Sequence, residues 1–147
     1  MYRGSRLAAS FLLVVTGLAA AAVALFTVPE AFGSGSGRWL IPAAIVFAAA
    51  HFAALVGVAR ARDWGRNLAV FVAEFGGGLA ILGAVALLTG AEPFGAASAA
   101  GPGLVAWAAA VYGLLGIAAG RVPVLARLDP LERRRAVLGP SFAGVAA

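Results

Sequence analysis

Residues 68–89 have the sequence LAVFVAEFGGGLAILGAVALLT, in which Glu74 is the single charged side chain. A helix needs about 17–25 such apolar residues to cross a bilayer core of about 30 Å. The strict apolar–polar alternation of a membrane β-strand is absent from this stretch. The sequence therefore predicts a transmembrane helix here.

Three further apolar stretches follow the same pattern, at about 7–28, 39–59 and 104–120. Over the whole chain 63% of the residues are apolar and 12% are charged, against about 45–50% and 25% in soluble domains. This composition excludes a soluble enzyme, a soluble binding module and a disordered chain. We expect an all-α fold, a single integral membrane domain over residues 1–147 that forms a four-helix bundle. Short connections predict an antiparallel, up-down-up-down order.

The basic residues predict the orientation of these spans. All 11 are arginines, and 10 of them lie beside one set of span ends, while Arg38 lies on the other side. The positive-inside rule then places both termini in the cytoplasm. The net charge of +5 is explained by this membrane placement, so no nucleic-acid partner is expected. Arginine without lysine is typical of GC-rich coding, and we interpret the chain as a bacterial inner-membrane protein.

Both ends of the chain carry further signals. Arg3, Arg6 and the apolar run after them resemble a signal peptide, but the run exceeds the usual apolar core of about 7–15 residues, which favours a retained helix. After the fourth span, Asp129 as N-cap and Pro130 in the first turn predict a short cytoplasmic helix over residues 129–138. Its arginines suit contact with an anionic inner leaflet, as a topology anchor or as a docking site for a protein; they are Arg133, Arg134 and Arg135.

Two ionisable residues lie inside the spans, His51 and Glu74, and such residues are functional candidates by default. Counted from the arginines at the span ends, both lie about 12–14 Å deep at 1.5 Å per residue. Thr16 and Tyr112 lie near the same depth. We therefore expect one polar layer made of Thr16, His51, Glu74 and Tyr112, in which His51 and Glu74 face each other.

Three interpretations of this layer remain open: a hydrogen bond that fixes helix register, a proton- or substrate-linked site in a cavity, or a side chain that points to lipid. Small residues near the layer predict close helix packing; they are Gly76, Gly77, Gly78, Gly116 and Gly120. No metal or cofactor is predicted. The chain has no cysteine and one histidine, so a bis-histidine haem would need a symmetric dimer.

The chain carries no catalytic motif such as GxSxG, HExxH or a phosphate-binding loop. The leading hypothesis is a non-enzymatic accessory subunit or scaffold of a membrane complex. The alternatives are a small proton-linked transporter or channel that uses His51 and Glu74, and a membrane enzyme acting on lipid or quinone. The expected partners are the lipid bilayer, a second copy of the chain, or a larger membrane complex.

Two groups of small membrane proteins are similar in outline. The chain is similar to the small multidrug resistance transporters in its four spans and its membrane-embedded glutamate, although their glutamate lies in the first helix and Glu74 lies in the third. It is similar to the DoxX-like proteins in size and span number. Neither likeness assigns a role to a residue of this chain.

Overall fold

Four long helices make up nearly all of the described structure. The computed structural model describes residues 2–33, 40–89, 101–123 and 130–132. The helices are α1 (Tyr2–Gly33), α2 (Leu40–Ala59), α3 (Asp63–Thr89) and α4 (Gly101–Gly120). Each contains a stretch long and apolar enough to cross a membrane, and the described ranges contain no strand. The all-α class and the four membrane-span-like helices are therefore confirmed, and they fit a small multi-pass membrane protein.

The helices pack in a ring, α1 on α2, α2 on α3, α3 on α4 and α4 on α1. Alanines and a few larger side chains fill the interior, among them Leu13, Val58, Val72 and Leu115. Many large apolar side chains point outward instead; Leu82, for example, is 58% exposed. A soluble protein rarely exposes so much apolar surface. These outer faces therefore suit contact with lipid.

The bounds of two helices differ from the sequence prediction. The structure extends α1 from Tyr2 to Gly33, and it begins α3 at Asp63 rather than at Leu68. The connection between the predicted spans 39–59 and 68–89 therefore shortens to a turn at 60–62. Hydropathy locates only the part of a helix that lies in the bilayer core. The polar first turn of α3 continues the helix, with the carboxylate of Asp63 near its positive end.

The turn between α2 and α3 has the hydrogen bonds of a Schellman motif. The Arg62 N–H donates to the Gly57 carbonyl at 2.8 Å, and the Ala61 N–H donates to the Val58 carbonyl at 3.0 Å. Ala61 takes the left-handed backbone conformation that this motif requires, with φ of 52°. An L-residue with a Cβ is strained there by about 1–2 kcal/mol. The short turn joins α2 and α3 as a helical hairpin.

Two glycines allow this hairpin to close tightly. Gly57 of α2 and Gly65 of α3 lie backbone against backbone, so that a Cβ on either one would overlap the main chain of the other. Gly65 is also buried. The distance between the two helices at this end is therefore set by the absence of two side chains.

Arg66 ties the start of α3 to the end of α4. Its Nε donates to the Val122 carbonyl at 2.9 Å, and its Nη2 donates to the Gly120 carbonyl at 3.4 Å. A cation at a helix C-terminus satisfies carbonyls that have no partner within the helix and interacts favourably with the helix dipole.

Beyond α4 the structure describes little of the predicted cytoplasmic segment. Residues 130–132 are helical. The rest of the short helix predicted over residues 129–138 lies outside the described residues, as do Arg133, Arg134 and Arg135. That helix and its contact with an anionic leaflet stay predictions.

Candidate functional site

His51 lies in the middle of α2 and is fully buried. Its Nδ1 lies 2.8 Å from the Phe47 carbonyl oxygen one turn earlier. A carbonyl only accepts, so Nδ1 carries the hydrogen and donates it. In the neutral ring Nε2 is then an acceptor. It lies 3.1 Å from the hydroxyl oxygen of Tyr112 in α4, which donates to it. Both ring nitrogens are therefore engaged within the protein.

Aromatic rings and one glycine fix the Tyr112 side chain. The centroid of the Tyr112 ring lies 5.9 Å from that of His51 and 6.3 Å from that of Phe47. The Phe47 and His51 rings themselves meet edge to face, with centroids 4.6 Å apart. The Tyr112 ring lies directly on Gly76 of α3, where any Cβ would overlap it. The contact between α2 and α4 therefore depends on a missing side chain in α3.

Thr16 of α1 is fully buried as well, but its hydroxyl donates to the Leu12 carbonyl of its own helix at 2.8 Å. The next residue, Gly17, lies against His51; a Cβ at Gly17 would lie 3.1 Å from the His51 Cβ. Thr16 and His51 therefore occupy one interior region without a hydrogen bond between them among the described contacts. Within the described residues every buried side-chain nitrogen or oxygen has a partner.

Glu74 lies outside this interior, and the expected pairing of His51 with Glu74 is wrong. The nitrogens of His51 bind Phe47 and Tyr112, and the Glu74 side chain is exposed. Val72 and Gly76, two residues to either side of Glu74, are buried. Two residues correspond to about 200° around a helix. Burial of Val72 and Gly76 therefore turns Glu74 toward the outside of the helix ring.

The Glu74 side chain lines an open groove between α3 and α4, with a volume of about 570 Å³. Four of its lining residues are glycines, Gly77 and Gly78 from α3 and Gly113 and Gly116 from α4. The rest of its lining is apolar apart from Tyr112, which reaches the groove from the interior; these residues are Val70, Ala73, Ile81, Ala109 and Ile117. Within the described residues the Glu74 carboxyl group has no hydrogen bond or ion pair.

The glycines singled out from the sequence have different surroundings. Gly76 lies under Tyr112, and a Cβ at Gly116 would make ordinary contact with Ala73 at 3.6 Å. A Cβ at Gly78 or Gly120 would meet nothing within 4 Å. The pattern of small residues thus marks helix contacts at two positions and leaves open surface at others. Gly113, which the sequence analysis missed, also faces open space; its spacing of three residues from Gly116 was the available signal.

The described residues contain no group of three or more histidine, cysteine, aspartate or glutamate side chains that could hold a metal ion. The groove offers one carboxyl group and no basic or nucleophilic partner for it. Its chemistry is therefore that of a binding surface for a cationic or hydrogen-bonding group in an apolar setting.

Comparison with known proteins adds no assignment: no family profile, no curated protein and no solved structure matches the chain.

Proposed function

We infer that the protein is a non-enzymatic subunit or scaffold of a larger complex in a bacterial inner membrane. The observation that carries this inference is the Glu74 side chain, which is exposed on the outer face of α3. In a bundle complete by itself, the polar groups at membrane depth face the interior or a water-filled cavity. Among the described residues the buried side-chain polar groups all have partners, whereas the Glu74 carboxyl group faces outward.

The exposed position of Glu74 is significant because the residue lies near the middle of α3. Glu74 lies about 16 Å from the first residue of α3 and about 22 Å from the last, at 1.5 Å per residue. A glutamate side chain is too short to reach either end of the helix from there. A charged side chain at the centre of a span costs at least about 2.5–3.5 kcal/mol on insertion scales. A partner that covers the groove and pairs with the Glu74 carboxyl group would offset this cost, and this supports an assembled protein.

The groove also favours a second candidate function, a small transporter that binds a cationic solute and couples it to protons. Its volume of about 570 Å³ lies in the range of small-molecule sites, about 300–1,000 Å³. This version uses Glu74 and Tyr112, because His51 is closed off in the interior. The third candidate, an enzyme acting on lipid or quinone, has less support, since one carboxyl group provides no acid–base pair.

Photocrosslinking in intact membranes tests the leading proposal. A photoreactive residue replaces Ile81 or Ile117, which line the groove, and in matched controls it replaces Phe11 or Leu18 on the outer face of α1. All four positions are between 55% and 68% exposed. We expect protein adducts at the groove positions and lipid adducts at the controls. Lipid adducts at all four positions would refute the proposal of an assembled subunit.

The proposed orientation has its own test. If both termini are cytoplasmic, a reporter that works only in the cytoplasm should be active when fused after Ala147. A reporter that works only outside the cytoplasm should be active when inserted within residues 33–37. An external C-terminus would overturn the orientation and the assignment of the arginine-rich side to the cytoplasm.

A further inference from the structure

We propose that the groove between α3 and α4 binds a transmembrane helix of another protein, and that this helix carries a lysine or arginine opposite Glu74. The proposal rests on the assembled-subunit function above and specifies the chemistry of the partner. It follows from the shape of the groove, from its charge, and from what a second copy of the chain could supply.

The groove has the shape that a helix needs. Its lining runs from Val70 to Ile81 along α3, a distance of about 16 Å, or three helical turns. Four of its lining residues have no side chain: Gly77, Gly78, Gly113 and Gly116. Small residues of this kind let a neighbouring helix approach closely, which is how helices associate where lipid removes the hydrophobic driving force.

The charge of the groove selects the partner. Glu74 is the single acidic or basic residue that lines the groove, and the other lining residues are apolar or glycine apart from Tyr112. Ionisable side chains at membrane depth pair with one another. A basic side chain on the docked helix would therefore neutralise Glu74 within the apolar setting, while an entirely apolar helix would leave its carboxyl group buried and without a partner.

Among the described residues, a second copy of this chain brings no basic side chain to the level of Glu74 through a symmetric contact. Arg66, the nearest arginine along α3, lies about 12 Å from Glu74 by helical rise and binds the end of α4. His51 is buried and engaged. A symmetric pair through this groove would place a second Glu74 opposite the first. Charge complementarity therefore favours a different protein.

The test uses the full chain in lipid vesicles with synthetic transmembrane helices of leucine and alanine, about 23 residues long. One carries a central lysine, one a central leucine and one a central glutamate. The protein has no cysteine, so Gly4→Cys gives a single site for a fluorescent donor, at a position where a Cβ meets nothing within 4 Å. Energy transfer to an acceptor on the peptide measures association at equal membrane-bound peptide concentrations.

We expect the lysine helix to associate about 3-fold to 20-fold more tightly than the leucine helix. This ratio of affinities corresponds to the range of free energies measured for polar contacts between membrane helices. Glu74→Leu should reduce this ratio to about one. Glu74→Lys should reverse the preference toward the glutamate helix. An unchanged ratio in Glu74→Leu, or equal binding of the lysine and leucine helices to the wild type, would overturn the proposal.

Two glycine variants separate docking in the groove from association elsewhere. A Cβ at Gly113 or at Gly103 meets nothing within 4 Å, so both positions have open space where the side chain of a leucine begins, and the thermal stability of both variants is compared with that of the wild type. Gly113 lines the groove and Gly103 does not. We expect Gly113→Leu to abolish binding of the lysine helix and Gly103→Leu to leave it unchanged. Equal effects of the two variants would overturn the groove as the site.

The outcomes distinguish this proposal from the proposed function. If groove positions crosslink to protein in cells but the lysine helix shows no preference, the assembly stands and the partner chemistry is wrong. If the wild type self-associates in vesicles, and Glu74→Leu and Gly113→Leu both abolish this, the occupant is a second copy and the proposal of a basic partner helix is overturned. Lipid adducts alone at the groove would overturn the assembly itself.

Discussion

Replacing Tyr112 with phenylalanine tests the contact that joins α2 to α4. The variant keeps the ring that lies on Gly76 and removes one oxygen, the donor to Nε2 of His51 at 3.1 Å. Because His51 is fully buried and its Nδ1 is bound to Phe47, Nε2 is left without a partner. A change of tautomer does not help, since it would remove the bond to the Phe47 carbonyl.

The expected loss follows from these contacts. Hydrogen bonds between membrane helices contribute about 0.6 kcal/mol on average and at most about 1.7 kcal/mol. A buried polar group left unsatisfied costs about 1–3 kcal/mol. Full burial of His51 places this bond toward the upper part of the first range. We therefore expect Tyr112→Phe to lower the free energy of unfolding by about 1–2 kcal/mol.

Reversible unfolding in mixed micelles, combined with a double-mutant cycle against His51→Leu, measures this effect. A coupling energy of about 1 kcal/mol is expected, because each single variant already breaks the same bond. Thr16→Val is the matched control. It removes a buried hydroxyl that binds only its own helix, and it should cost less than about 0.5 kcal/mol. A coupling energy below about 0.3 kcal/mol, or an equal loss in the control, would refute the reasoning.

Three further predictions concern the turn between α2 and α3 and the first turn of α3, and all use the same unfolding assay. Gly65→Ala forces a methyl group into the Gly57 backbone and should lower the free energy of unfolding by about 1–3 kcal/mol. Its control, Gly78→Ala, faces open space and should raise the free energy of unfolding by about 0.5–1 kcal/mol through helix propensity. Similar values for the two variants would contradict the close contact between Gly57 and Gly65. Ala61→Gly relieves the left-handed backbone strain and should gain about 1 kcal/mol, so a loss would argue against the Schellman turn. Arg66→Gln removes the forked donor to the end of α4 and should cost about 1 kcal/mol; no change in unfolding would show that the fork contributes nothing.

The class of the fold was predictable from sequence because a bilayer demands long apolar helices, and hydropathy measures that demand directly. The first turn of α3 was not, because residues 63–67 include Asp63, Arg66 and Asn67, and hydropathy gives no signal for helix outside the bilayer core. The turn at Ala61 also gives no sequence signal, since alanine is an unusual residue in the left-handed conformation. The closure of Gly57 on Gly65 likewise depends on how α2 and α3 cross.

The depth of the candidate-site residues in the membrane was predictable from the sequence, but the direction in which their side chains point was not. Counting residues from the arginines places His51 and Tyr112 at one level, and the structure brings these two together. The same count says nothing about which face of a helix a residue occupies. Three consecutive glycines, residues 76–78, span about 200° of the helix circumference, so they could not show whether Glu74 points inward. The burial of Val72 and Gly76 decides that Glu74 points outward.

The hydrogen bond between His51 and Tyr112 also has a consequence for the order in which the helices assemble during synthesis. The ribosome synthesises α2 before α4. When α2 enters the membrane, Nδ1 of His51 can bind the Phe47 carbonyl of the same helix, but Nε2 has no donor yet. That donor arrives only with the last span, which also covers Gly76. A translation product that stops before residue 101 would insert its earlier helices with this nitrogen unmatched. Insertion of α4 is therefore the step that completes the hydrogen bonds of His51.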